Sequence, residues 1–316
     1  MSDALLFAGV LALTLVLGPA PIRALRGLRL RQQAYEDAPK THAAKSGTPT
    51  MGGVLFLVAI CVALAVRHDP VSVALGLLGL ACGAIGLVDD VLAIRRGRNR
   101  GLRARAKFLL TAIAGSLFLA LLARDPAFGL RDVIFAFDAT HLVVPDVLWL
   151  ALSLCVLLAT THAVNLTDGL DGLAAGTMLP PLAVVAWLAA RQGEAGVAGL
   201  DVAVGAACIG FLAYNRHPAK LFMGDTGSLA LGAVLAGSAI VTGNHLLLLL
   251  IGGVFAAEAA SVILQVAYFK TTRKRIFRMS PLHHHFELEG WPETTVTKRF
   301  WTASAVLSLV GAVLVR

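Results

Sequence analysis

The chain has 316 residues, 57% of them hydrophobic and only 15% charged, with a mean hydropathy of +0.78 and a formal net charge of +8. Soluble domains carry about 45–50% apolar and about 25% charged residues, so the composition excludes soluble globular, disordered, collagen-like and coiled-coil chains and points to the bilayer. The positive charge by itself would suit nucleic acid, but its placement assigns it to loops at one membrane face, and no nucleic-acid partner is expected.

A bilayer core about 30 Å thick is crossed by about 20 apolar residues in a helix. Ten such runs are predicted, at 3–22, 50–66, 71–93, 107–123, 147–164, 171–191, 200–214, 226–241, 245–269 and 299–315. The first begins Met1-Ser2-Asp3 with no basic segment ahead of it, which predicts a retained span and not a cleaved signal. Between the fourth and fifth runs, residues 131–146 hold two short β-prone stretches around Asp138-Ala139-Thr140, which predict a small hairpin. The sixth to eighth runs are short or broken by Gly, and their Gly and Ala content suits close helix packing in lipid. The ninth would be about 37 Å long as a straight helix, longer than the core, so a bend or break is expected. Cys61, Cys82, Cys155 and Cys208 lie singly in apolar runs and read as packing residues.

Of the 27 Lys and Arg residues, 22 fall at 23–49, 94–107, 215–225 and 270–299, and five on the alternate side. The positive-inside rule puts the rich side in the cytoplasm. The expected fold is an all-α polytopic membrane protein of about ten transmembrane helices with both termini periplasmic, a small periplasmic β-hairpin, and one integral-membrane domain over residues 1–316.

The polar motifs fall on that same cytoplasmic side. In chain order they are Lys45 and Thr50, Asp89-Asp90, then Asn165, Asp168 and Asp171, then Asp225, and finally His283-His284-His285. Paired and Gly-flanked acids are hard oxygen ligands of the kind Mg²⁺ shares with substrate phosphates. Lys and His oppose phosphate charge. The set therefore suggests phosphoryl transfer at the membrane boundary. Simpler roles stand beside it. Asp168 and Asp171 fit capping of the sixth run and Asp225 capping of the eighth, and the histidines fit a surface loop. Glu258 and Gln265 share one face of the ninth run and suit either a cavity lining or bonding within the bundle. A structural role for Asp89-Asp90 is disfavoured, because acids at a helix C-terminus oppose the macrodipole.

Thr48-Pro49-Thr50-Met51-Gly52-Gly53, Asp89-Asp90, Asn165-Leu166-Thr167-Asp168-Gly169-Leu170-Asp171-Gly172, Phe222-Met223-Gly224-Asp225-Thr226-Gly227-Ser228 and Pro281-Leu282-His283-His284-His285-Phe286-Glu287 occur in this order. In them the chain closely resembles the bacterial phospho-N-acetylmuramoyl-pentapeptide transferase family. The resemblance implies transfer of phospho-MurNAc-pentapeptide from UDP-MurNAc-pentapeptide to undecaprenyl phosphate. The products are lipid I and UMP, Mg²⁺ is required, and the enzyme is a homodimer of the bacterial inner membrane. By motif, Asp225 with Asp168 would hold Mg²⁺. Asp89 would orient or deprotonate the lipid phosphate, with Asp90 assisting. Asn165 and Asp171 would meet the nucleotide and pyrophosphate, Lys45 and Thr50 the nucleotide, and Phe222 the uracil. His283, His284 and His285 would contact substrate phosphate or sugar, with Gln265 as a further substrate contact. Ala93 stands where many members carry Lys, and Arg95, Arg96, Arg98 and Arg100 are the nearby candidates for that charge. A related transferase of N-acetylglucosamine 1-phosphate and an ion-coupled transporter are the alternatives.

Overall fold

A computed structural model describes residues 2–27, 48–96, 101–124, 132–134 and 141–315. The chain winds through helices α1 (Asp3–Leu17), α2 (Pro19–Gly27), α3 (Val54–Val66), α4 (Pro70–Arg96), α5 (Ala104–Ala123), α6 (Asp146–Thr167), α7 (Leu173–Arg191), α8 (Ala195–Asn215), α9 (Gly224–Val241), α10 (Leu247–Ile251), α11 (Gly253–Thr272), α12 (Leu282–Leu288) and α13 (Glu293–Leu314). Among the described residues, eight helical stretches are long and apolar enough to cross a membrane: Asp3–Arg23, α4, α5, α6, α7, α8, α9 and α11. This is an all-α polytopic membrane protein.

The two remaining predicted runs are α3 and α13. The second run was expected from residue 50, but α3 begins only at Val54. Its 13 residues span about 20 Å. Residues 49–53 are instead stitched to 222–223, with Phe222 N–H donating to Pro49 O, Gly52 N–H to Phe222 O and Gly53 N–H to Met223 O. The helix yields those residues to backbone pairing at the site. The ninth run breaks as expected: Gly252 separates α10 from α11.

Strands β1 (Asp132–Ile134) and β2 (His141–Val143) pair antiparallel, with Val133 opposite Leu142. The expected hairpin is present, although its Asp138-Ala139-Thr140 turn lies outside the described residues. It joins the C-terminal end of α5 to the N-terminal end of α6.

Helix α9 is the axis. Every residue from Thr226 to Ile240 is buried, as expected of a helix enclosed by others. Helix α4 packs along it more extensively than any other pair. Their contact is made backbone to backbone, since a Cβ on Gly86 would fall 2.1 Å from Asp225 O. Small residues permit that approach without a side chain in the way. The outer helices show the reverse pattern. Leu109, Ile113 and Leu117 of α5, Ile263 and Leu264 of α11, and Leu309 and Val313 of α13 are exposed. Those faces suit lipid, where apolar surface needs no cover.

Candidate functional site: a carboxylate cluster at one end of the bundle

The site forms where the C-terminal ends of α4 and α6 meet the N-terminal ends of α5 and α9. Helix α9 starts with Gly224 at φ +72°, a left-handed conformation that glycine adopts without strain. The first amides of a helix have no partner within it. Here Asp90 supplies one from another helix: its Oδ1 accepts from Asp225 N–H at 3.1 Å, and its Oδ2 accepts from Thr226 N–H at 3.0 Å and Thr226 Oγ1–H at 2.6 Å. Asp225 is therefore relieved of capping its own helix, and its carboxylate turns to the cluster.

Asp225 Oδ1 accepts from Asn165 Nδ2 at 2.8 Å, and the same amide nitrogen bonds Ser228 Oγ at 2.8 Å. Asp225 Oδ2 meets the Lys107 ammonium, which also lies 3.1 Å from Asp89 Oδ1. Asp89 Oδ1 further accepts from Leu102 N–H at 2.8 Å. Gly101 allows that loop to close over the acid, since a Cβ there would sit 2.4 Å from the Asp89 carboxyl. Asp89, Asp90 and Asp225 each place a carboxylate oxygen within 4.8 Å of the others. Three carboxylates against one ammonium leave a formal charge of −2, and this all-oxygen donor set fits a hard divalent cation.

Asp168 borders this group without belonging to it. Its carboxylate accepts from Gly224 N–H, and burial, reinforced by the charges of Asp225 and Asp90, pushes its pKa up to about 8. Thr50 is buried at the same glycine, where a Cβ would lie 2.9 Å from Thr50 Oγ1. Neither Asp168 nor Asp171 caps the sixth run, because Gly172 occupies the N-cap position of α7. Asp171 turns the other way: its Oδ2 lies 3.0 Å from His217 Nδ1 and accepts from Ala219 N–H, while its own N–H donates to Glu293 Oε1. Asn215 ties this side to the Phe222 segment, accepting from Gly172 N–H and donating to Leu221 O.

The histidines arrive from α12. His283 is buried, with Nδ1 bonded to Glu258 and Nε2 against Gly169. His284 Nδ1 lies 2.9 Å from Glu287, and His285 Nδ1 accepts from Arg278 N–H. Gln265 sits apart from the carboxylates. Its Oε1 accepts from Ile276 and Phe277 N–H and its Nε2 donates to Phe277 O, so its amide fastens the segment leading to the histidines. Lys45 lies outside the described residues.

Sequence reasoning passed over Lys107, Thr226 and the Glu258–His283 pair. A cation was sought near position 93 among Arg95, Arg96, Arg98 and Arg100; among the described residues, Lys107, a turn into α5, is a cation bonded to the acids. Arg96 donates to Gly101 O, and Arg98 and Arg100 lie outside the described residues. A lone Lys in a basic loop carries no signal of its own; only its position one turn inside an apolar helix sets it apart.

The pattern of glycosyl transferase family 4 matches residues 72–243, and signature 1 of phospho-N-acetylmuramoyl-pentapeptide-transferase matches residues 45–57. The chain is 48% identical over 311 residues to the phospho-N-acetylmuramoyl-pentapeptide-transferase of Desulforamulus reducens, covering 94% of this chain and 91% of the relative. It is 48% identical to that of Heliobacterium modesticaldum, covering 96% and 94%, and 46% identical to that of Desulfitobacterium hafniense, covering 99% and 98%. With the motif-bearing cluster assembled at one end of a membrane bundle and full-length relatives of this kind, the chain belongs to the phospho-N-acetylmuramoyl-pentapeptide-transferase family of glycosyl-1-phosphate transferases.

Proposed function

We propose that the chain transfers phospho-MurNAc-pentapeptide from UDP-MurNAc-pentapeptide to undecaprenyl phosphate, releasing UMP and forming lipid I, at the cytoplasmic face of a bacterial inner membrane. The observation that carries the reading is the convergence of Asp89, Asp90 and Asp225 within 4.8 Å. The distribution of Lys and Arg supports the sidedness.

Mg²⁺ is the ion proposed for Asp225, Asp89 and Asp90, with Asp168 beside them; when bound it supplies charge stabilisation to the pyrophosphate. Asp89, held by Leu102 N–H and Lys107, orients the acceptor phosphate or takes its proton. Asn165 fixes the Asp225 carboxylate. Lys107 and the histidine segment oppose phosphate charge. Phe222 offers a stacking face to uracil, and Asp171, Thr50 and Lys45 flank the nucleotide. A phosphate oxygen is already a competent nucleophile, so direct attack on the β-phosphorus is preferred to a covalent phospho-aspartate.

The test is UMP release by purified protein. Release that needs both undecaprenyl phosphate and Mg²⁺, and that fails with UDP-GlcNAc, supports the reading. Release from UDP-GlcNAc alone would transfer the chain to the related sugar specificity.

A further inference from the structure

Glu258 lies in the body of α11, 0% exposed, and among the described residues its ion-pair partner is His283. Both of its oxygens go to one residue. Oε1 accepts from His283 N–H at 3.2 Å, and Oε2 lies 3.1 Å from His283 Nδ1. The main-chain N–H makes Oε1 an acceptor, and a ring proton on Nδ1 is the tautomer that lets Oε2 accept as well. Nε2 is left as the ring atom that faces away from α11. It is buried and has no hydrogen-bond partner among the described residues. It abuts the turn that carries Asp168, where a Cβ on Gly169 would fall 2.2 Å from it. Buried polar atoms are seldom left unpartnered, and such an atom at the edge of a site is a place for a ligand group.

We propose that Glu258 is a positioning residue that acts through His283. Its carboxylate fixes the ring's orientation and keeps the proton on Nδ1, so that Nε2 is the atom offered to the nucleotide-sugar at the 165–172 turn. Carboxylate–imidazole pairs set the tautomer in this way in hydrolase triads, where replacing the acid by its amide leaves the geometry intact and costs orders of magnitude in turnover. The inference rests on the transferase reading of the site and adds a residue to it that lies outside the carboxylate cluster.

The discriminating variant is Glu258→Gln. A glutamine has the same shape and can still accept from His283 N–H, but its NH₂ donates to Nδ1 and moves the ring proton to Nε2. The measurement is steady-state UMP release by the full-length protein with undecaprenyl phosphate and Mg²⁺, alongside thermal unfolding, for wild type, Glu258→Gln, His283→Gln and the double variant. The expected result is a kcat about 100-fold lower in Glu258→Gln. The KM for UDP-MurNAc-pentapeptide and the midpoint of unfolding stay near wild type, and Glu258→Gln has no further effect in the His283→Gln background. A kcat within threefold of wild type, a loss that tracks a lowered unfolding midpoint, or losses that multiply in the double variant would overturn the inference. Absence of UMP release from wild type would overturn the transferase reading and this role with it.

Discussion

The Lys107 ammonium stands between two acids from different helices, bonded to Asp225 and 3.1 Å from Asp89. It neutralises part of a cluster that would otherwise repel itself, and it sits beside the place a divalent cation would take. Lys107→Met is expected to lower UMP release by about 100-fold. Lys107→Arg is expected to restore little, because the planar fork does not reproduce a compact point charge between two carboxylates. Initial rates at saturating Mg²⁺ check both.

Asp90 has two roles, and they separate by substitution. It caps the first amides of α9 from across the α4 contact. Asp90→Ala is expected to cost about 1–2 kcal/mol of stability, as losing a helix cap does, and to abolish activity. Asp90→Asn keeps one acceptor oxygen for the two amides and is expected to recover part of that stability without recovering activity. Thermal unfolding in detergent, read against UMP release, makes the comparison.

The α4–α9 contact sets the spacing of the acids. Gly86→Ala places a methyl group 2.1 Å from Asp225 O, where only movement of a helix can relieve the clash. Overpacking of this kind costs about 1–3 kcal/mol, and the shift separates Asp89 and Asp90 from Asp225. Both stability and turnover are expected to fall. Gly9→Ala, where nothing lies within 4 Å, is the control and is expected to change neither.

Gln265 distinguishes a fastener from a substrate contact. Its three bonds to the 276–277 backbone hold the approach to α12. Gln265→Leu is expected to make residues 273–280 more susceptible to limited proteolysis and to reduce turnover about tenfold. A raised KM for the nucleotide-sugar with an unchanged digestion pattern would assign the side chain to substrate instead.

The fold was legible where lipid-facing residues dominate. Runs such as 107–123 and 147–164 are strongly apolar because α5 and α6 expose leucine and valine to the bilayer. The sixth to eighth runs read weakly for the opposite reason: α7, α8 and α9 are the most enclosed, and small residues that let helices approach closely carry little hydropathy. The start of α3 was misplaced because Thr50 to Gly53 look apolar enough for helix, while their amides are taken by the Phe222 segment, a long-range pairing that local composition does not encode.

The acids of the site were legible as motifs, because ionisable groups at the edge of apolar runs are costly and stand out. Their division of labour was not. Asp90 and Asp225 both read as metal or phosphate residues, and only the folded chain shows Asp90 spending its oxygens on α9 while Asp225 keeps its own for the cluster. Asp168 read as a metal ligand and lies next to the group of three acids, joined to it by Gly224 N–H. Lys107 was invisible among the basic residues around it.

The role proposed for Asp225 and its neighbours is to hold a divalent cation against a diphosphate. It is tested most directly by measuring UMP release as a function of Mg²⁺ concentration for wild type and Asp225→Asn, with undecaprenyl phosphate present. Wild-type release is expected to depend on Mg²⁺, and Asp225→Asn is expected to lose about 100-fold or more at every concentration. Full activity in Asp225→Asn with an unchanged Mg²⁺ dependence would contradict it.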